Sequence, residues 1–497
     1  MSESARLVGG VAGVAAGELV AGVTRSVGPT DAVARLVADR IPLTAVELAV
    51  FRLHGRDKTA LRLTSAAALA ALGSGAVGPG RSAGSRLRGA TLALALSAVA
   101  LRRPPRRPGD AVLVVLMQTI AGVAATRLAK RRPIAVGTAT LAGAAGAVVM
   151  HGRRRRGEAA TSAGRPSPLT VPPTDGAEGW AHATPLVTPL DRFHVTDINF
   201  GAPAVELDSW RLRINGEVAR PVDLDWAALL DLGTTDVDAV LVCIHNRIGW
   251  ERAANARWQG VPLALVRDLV EAKPTATHVV TESADGFTIS LPVAELEAAG
   301  LNSYIVVGMN GQPLTIAHGF PARFLVPGIY GQFAGVKWLT EIRFTDHHVP
   351  GDWERRGWPP DAVLARSHAR IDAARQVGDT MVVTGVAWAP PDGVAAVEAS
   401  VDGGRWFRAE LAAAVGPLAW RRWRCRLMLA PGRHGIRARS IRADGQVQDG
   451  SPRPPFPSGV SGYHDVVVTV AGPPYPPPSR RFRWRRTGAA PGRRRPS

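Results

Sequence analysis

Cysteine is nearly absent from this chain, with two thiols, Cys243 and Cys425, among 497 residues. At most one disulfide can form, so no cross-linked scaffold holds the fold, and with no CxxC pair or Cys/His cluster no tetrahedral zinc site is available. Between residues 189 and 375 neither GxGxxG nor GxxxxGK[ST] occurs, which removes the usual nucleotide cradles from that region. Acidic residues are also scarce, giving a formal charge of +19, but the excess is uneven. Residues 1–157 hold 23 Lys+Arg against 7 Asp+Glu and residues 471–497 hold 8 Arg with no acid, which leaves the stretch between them at −5. A slightly acidic centre has no basic face with which to displace counterions from phosphate, so nucleic acid is excluded as a partner of the folded core.

Long apolar runs are few, and all lie early. Residues 1–156 are rich in Ala, Gly, Val and Leu, with candidate spans at Val8 to Val23, Ala60 to Val77, Ala90 to Leu101, Ala111 to Ala129 and Ile134 to Met150. Only the last two approach the roughly 17 to 20 apolar residues that a bilayer requires, so four or five transmembrane helices are expected, against a soluble Ala-rich helical domain as the alternative. Arginine clusters lie on both sides of the fourth span and leave the orientation undecided. KRRPIAVGTATLAGAAGAVV is similar to a twin-arginine export signal, whereas Arg153 to Arg156 favour a cytoplasmic exit.

The remaining chain divides by composition. Residues 157–188, rich in Ser, Thr, Pro and Gly, read as a flexible linker. From 189 to 375 short strands mix with short helices: WRLRINGEV alternates and ends in Asn-Gly, DLDWAALLDL and VPLALVRDLVEA have helical spacing, and THVVTESADGFTISLPV and SYIVVGMNGQPL each place two strands around a turn. This is an α+β domain. Residues 376–470 show alternating segments separated by turns at β-sandwich spacing, and within one of them Cys425 alternates with Arg424 and Arg426, which points its thiol inward as a packing residue. The tail, 471–497, is proline and arginine, a basic disordered segment by composition.

Two stretches carry chemistry. VLVCIHNRIGW sets Cys243 where a β-branched run breaks into a loop, and HGFPARFLVPGIYGQFAGVKWLTEI is turn-rich and brings His318, Arg323 and Lys337 together as donors suited to an anionic ligand. A surface ion pair is the plainer reading of Arg323 or Lys337 taken alone.

In these stretches the chain resembles the sulfite oxidase family of molybdopterin-dependent oxidoreductases, in its membrane-anchored bacterial form. The resemblance runs from about Thr188 to Val470 and rests on Cys243 followed by NARWQGVPL, DGF, VGMNGQPL, HGFPAR, VPGIYG and VKWLTEI, in that order. It implies a molybdopterin-binding α+β domain followed by an immunoglobulin-like sandwich, of the kind through which subunits pair as homodimers. It also implies that Cys243 gives a thiolate to molybdenum, and that His318, Arg323 and the Gly335-Val336-Lys337 run hold the cofactor, with a further contact at His194 and Val195. A soft thiolate suits a metal that changes oxidation state. No CxxCH motif is present, so the haem domain of some relatives is not expected, and electrons would pass to a carrier or to the quinone pool.

Departures from the pattern bear on the substrate. Val195 and Thr196 stand where sulfite-oxidising members carry an arginine, Trp358 stands at a tyrosine position, and Gln332, Phe333 and Ala334 fill a turn where another arginine is expected. His245, Arg247, Arg355 and Arg356 are candidates to restore the charge a dianion needs. The expectation is a membrane-anchored enzyme with its catalytic domain on the extracytoplasmic face, performing two-electron oxygen-atom transfer on a small sulfur-containing or related oxo substrate. The rival is a non-catalytic, membrane-tethered binding module that keeps the fold.

Overall fold

A computed structural model describes residues 173–471, apart from 199–201, 204 and 361–363, together with the isolated helical positions Val14, Ala34 and Ser65. Apart from the single positions Val14 and Ser65, the five candidate membrane spans lie outside the described residues, as does the basic tail beyond Ala471. Among the described residues no helix is long and apolar enough to cross a membrane.

The first unit is built on two sheets. One orders its strands Val222–Leu224, Leu212–Gly216, Leu339–Thr345, His278–Ser283 and Thr288–Leu291. The other runs Gly335–Val336, Arg323–Leu325, Tyr304–Met309, Ala253–Pro262 and Thr235–Val242, with Gln312–Pro313 added beside Tyr304–Met309. Local signals worked where pairing is local. His278–Ser283 and Thr288–Leu291 form the antiparallel pair around Asp285-Gly286. Tyr304–Met309 returns through Asn310 and Gly311, both at positive φ as an Asn-Gly hairpin turn demands. The helix Trp226–Asp231 starts at Asp225, whose carboxylate accepts from Ala228 N–H at 2.9 Å. The parallel pairing of Leu212–Gly216 with Leu339–Thr345 joins segments more than a hundred residues apart and has no local signature.

Two four-stranded sheets form the second unit, ordered 368–377, 380–388, 421–428, 410–411 and 406–408, 394–401, 432–442, 464–470. Their inner faces share one apolar core that includes Val383, Val397, Trp423 and Ile436. Cys425 lies in that core, 4% exposed, and burial pushes its thiol up to about 11, as expected for a packing cysteine. The sandwich begins earlier than its composition suggested, because His368–Val377 pairs along its whole length with Thr380–Trp388.

The described part of the expected flexible linker, 173–188, is docked rather than free. Asp175 is fully buried against Arg422, whose Nε donates to Oδ2 at 2.7 Å. The Arg424 guanidinium lies 4.4 Å from the Trp180 ring centroid, and the Trp420 indole donates to Leu186 C=O at 2.8 Å. Buried Asn255 ties three pieces together: its amide nitrogen donates to Leu186 C=O at 3.0 Å, its amide oxygen accepts from Trp420 N–H at 3.2 Å, and its own N–H donates to the Thr188 hydroxyl. Composition misled here because anchoring needs only a few buried side chains, while the intervening residues remain polar.

Candidate active site

Cys243 sits one residue beyond the strand Thr235–Val242, and the loop that follows closes on itself. Cys243 N–H donates to Arg252 C=O at 2.9 Å, Asn246 N–H donates back to Cys243 C=O at 2.8 Å, and buried Asn246 accepts from Arg252 N–H through its side chain at 2.8 Å. The sandwich buttresses the far side of this loop: Arg370 donates to Trp250 C=O at 3.3 Å, and the His464 ring abuts Gly249. The thiol is thus held at a strand end by two layers of hydrogen bonds, 6% exposed, with the Thr196 hydroxyl 3.9 Å away as a weak donor. Strand pairing sets the sulfur's position, and the break into a loop leaves one side of it open to a cavity.

That cavity has a volume of about 840 Å3, counting the solvent at its mouth, and gathers residues far apart in the chain. His194, Val195, Cys243, His318, Arg323, Gly335 and Lys337 all line it, so seven of the eight residues singled out from sequence converge. Val336 does not: it is fully buried in the apolar core, because alternation along the short strand Gly335–Val336 turns its side chain away from its neighbour's face.

The polar groups are arranged around buried cations. Lys337 forms an ion pair with Asp197 and donates to Ala317 C=O at 2.9 Å; burial lowers its pKa, and the Asp197 charge opposes that shift. Arg323, 5% exposed, donates to His318 C=O at 3.3 Å with its guanidinium 5.2 Å from the Trp258 ring centroid, and burial lowers it to about 10, so it stays charged at neutral pH. Gly335 makes room for it, since a Cβ there would come within 2.9 Å of Arg323 Nη2. His318 Nδ1 is hydrogen-bonded to the Thr315 hydroxyl at 2.7 Å, and burial followed by the charges of Arg323 and Lys337 holds the ring down at about 4. His194 stacks on Phe193 at 5.3 Å, and burial with the surrounding cations lowers it to about 3. Both imidazoles are therefore neutral at pH 7. His318 Nε2, His194 Nδ1, Arg323 Nε and both ends of the Gln332 amide are buried with no hydrogen-bond partner among the described residues.

Phe287, Trp338 and Trp353 supply apolar wall, and Ser283 and Asp285 come from the hairpin between two strands of the first sheet. Sequence reading had marked Asp285-Gly286-Phe287 only as a motif. Trp353 and Asp197 carry no sequence signal of their own and are brought to the cavity by the fold. Of the four residues expected to restore positive charge, only His245 lines the cavity. Burial, then Arg252 and Arg247, lowers it to about 4, so it carries no charge at neutral pH. Arg355 instead pairs with Asp352 at 3.2 Å and donates to Pro350 C=O. Trp358 stands behind the wall, edge-on to His245 at 5.6 Å and to Trp353 at 6.2 Å.

A family model described as the oxidoreductase molybdopterin binding domain matches residues 199–353. The uncharacterized oxidoreductase YuiH of Bacillus subtilis (strain 168) is 31% identical over 153 residues, which are 31% of this chain and 74% of that protein. Sulfite oxidase of Gallus gallus is 28% identical over 292 residues, covering 48% of this chain and 62% of the relative. The catalytic subunit MsrP of a protein-methionine-sulfoxide reductase from Gluconobacter oxydans (strain 621H) is 29% identical over 214 residues, covering 38% of this chain and 65% of the relative. With a thiol at a strand end, a cavity lined by buried cations and this common stretch, the chain belongs to the sulfite oxidase family of molybdopterin-dependent oxidoreductases.

Proposed function

We propose that the protein performs two-electron oxygen-atom transfer at a molybdenum ligated by Cys243, on a small sulfur-containing or related oxo substrate, while tethered to the cell membrane with the catalytic domain on its extracytoplasmic face. The observation that carries the reading is the convergence, in one cavity, of a strand-end thiol with His318, Arg323 and Lys337.

The cavity's residues fit a molybdopterin. Among the described residues no group of three or more His, Cys, Asp and Glu side chains converges as metal donors. A metal at Cys243 must then bring its other ligands on an organic cofactor. Arg323 and Lys337 answer the cofactor's phosphate, and the unpartnered His318 Nε2 and His194 Nδ1 answer its polar ring edges. Being neutral, each imidazole presents an N–H or a lone pair without adding charge. When bound, the cofactor supplies a redox metal that exchanges two electrons and an oxygen atom with the substrate.

The chain's own part is positional. Asn246 and the Arg370 contact hold the Cys243 loop rigid, Asp197 keeps Lys337 aimed into the cavity, and Trp338, Trp353 and Phe287 exclude water. Electrons leave to a carrier or to the quinone pool. Protein made in a host that synthesises molybdopterin is expected to contain stoichiometric molybdenum, and Cys243→Ser to lose it while keeping its thermal unfolding transition. A folded wild type free of molybdenum would instead favour the non-catalytic module.

A further inference from the structure

Three consecutive residues of the loop that carries Cys243 rest on the second unit. A Cβ at Gly462 would lie 2.8 Å from Ile248 Cδ1, a Cβ at Gly249 would collide with the His464 ring at Nε2, and Arg370 donates to Trp250 C=O at 3.3 Å. Of the groups making these contacts, one titrates near neutral pH. His464 opens the strand His464–Val470, and its second ring nitrogen is committed: Ile371 N–H donates to His464 Nδ1 at 2.9 Å. A backbone amide only donates, so Nδ1 carries no proton and the ring is the neutral Nε2–H tautomer while this bond stands. The amide it satisfies lies at an irregular place. The ladder between His368–Val377 and Thr380–Trp388 shifts register between Ile371 and Ala373, right beside Arg370. The ring therefore ties together the bulged strand and the Cys243 loop.

We propose that His464 is an acid-sensitive latch on the Cys243 loop: a proton on Nδ1 sets one N–H against the Ile371 N–H, drives the ring from its seat and releases Gly249 and the loop with it. The latch itself needs no cofactor, and its consequence for molybdenum rests on reading Cys243 as the metal's ligand. Charged and titratable groups reach the ring from each neighbour. The strand His368–Val377 brings Arg370, Asp372 and neutral His368, and Asp465 follows on the ring's own strand, 3.7 Å from Arg437 of the adjacent strand Gly432–Arg442. Gly249, the contact on the loop, brings no charge. Burial is the largest influence and disfavours the charged ring; Asp372 and Asp465 oppose it, Arg370 acts with it, and the pKa falls below the ordinary 6.5. A histidine depressed in the folded state stabilises fully above its unfolded value of about 6.5 and loses that contribution as pH falls from there towards the folded value. The latch is shut at neutral pH and opens in acid. A single proton lets opening rise by at most about tenfold per pH unit across that window.

Hydrogen–deuterium exchange of the full chain, read by mass spectrometry on peptides covering 243–252 and corrected for the intrinsic pH dependence of exchange, follows the loop through the Cys243, Asn246 and Arg252 amides, all hydrogen-bonded within it. In cofactor-free wild type, protection of the loop is expected to be level between about pH 8 and pH 7 and to fall about threefold or more by about pH 5.5, while the strand Thr380–Trp388 keeps its protection. His464→Asn puts an amide oxygen where Nδ1 stood and takes up no proton, so its loop should stay protected throughout. Asp372→Asn removes a charge that favours the protonated ring, so its fall should begin at lower pH; it decides the matter should His464→Asn not fold. Level wild-type protection down to about pH 5.5, an equal fall in His464→Asn, or an unmoved midpoint in Asp372→Asn each overturns the latch. In molybdenum-loaded protein, metal release should quicken in acid for wild type and not for His464→Asn, and release that ignores an opened loop overturns the tie to the metal. A wild type lacking molybdenum at neutral pH overturns the cofactor reading, and exchange in the cofactor-free chain still decides the latch.

Discussion

Asp197→Asn isolates what the cavity is built to hold. Asp197 is the carboxylate paired with Lys337, and the two side chains are only 17% and 12% exposed. Removing the charge leaves a buried ammonium with only neutral acceptors in contact, Ala317 C=O and the new amide oxygen, and breaking a buried ion pair costs about 3–5 kcal/mol. The lysine's escape is to release its proton. From an ordinary value of 10.5 that costs about 5 kcal/mol at pH 7, a ceiling that agrees with the first figure. At about 2–4 °C per kcal/mol for domains of this size, the cofactor-free variant should unfold about 6–20 °C below cofactor-free wild type. In the loaded protein the cofactor's anionic end takes over part of the role of Asp197, so the loss should shrink by half or more. Thermal unfolding of both proteins, each with and without molybdopterin, measures the difference. Equal losses in the two forms would refute the placement of an anion at Lys337. No loss in either would refute the buried pair.

Two further substitutions probe the frame around the site. Burial alone raises Asp175, but the hydrogen bonds from Arg422 and from Ala177 N–H outweigh it and hold its pKa below the ordinary 3.8. A carboxylate depressed in the folded state stabilises above its unfolded pKa and loses that contribution as pH falls through the folded value. The wild type's Tm advantage over Asp175→Asn should therefore be full above about pH 5 and shrink steadily below pH 4. Gly249→Ala demands a left-handed alanine at φ 78°, with its Cβ 2.4 Å from His464 Nε2. It should cost about 1–3 kcal/mol in urea unfolding and lower molybdenum retention, because the displaced loop begins at Cys243.

The candidate site was legible wherever chemistry is written in residue type and local pattern. A thiol after a β-branched run, a turn-rich segment with a histidine, an arginine and a lysine, and Asn-Gly and Asp-Gly turns all act within a dozen residues, and each lies where its pattern implied. Val336 shows the limit. It belongs to a motif by sequence, yet a two-residue strand turns it into the core. The docked strap at 173–188 shows another, since Asp175 and Leu186 find Arg422 and Trp420 across more than two hundred residues.

The sequence by itself determined the strands, the turns, the inventory of donors and the lone thiol beside a glycine-rich loop, because periodicity and turn chemistry act over short distances. Only the tertiary structure decided that Asp197 neutralises Lys337, that the three histidines lining the cavity are uncharged, and that Arg355 is spent on Asp352. Those are questions of which charges meet and which groups lose their water, and both answers depend on segments that approach one another only when the chain has folded.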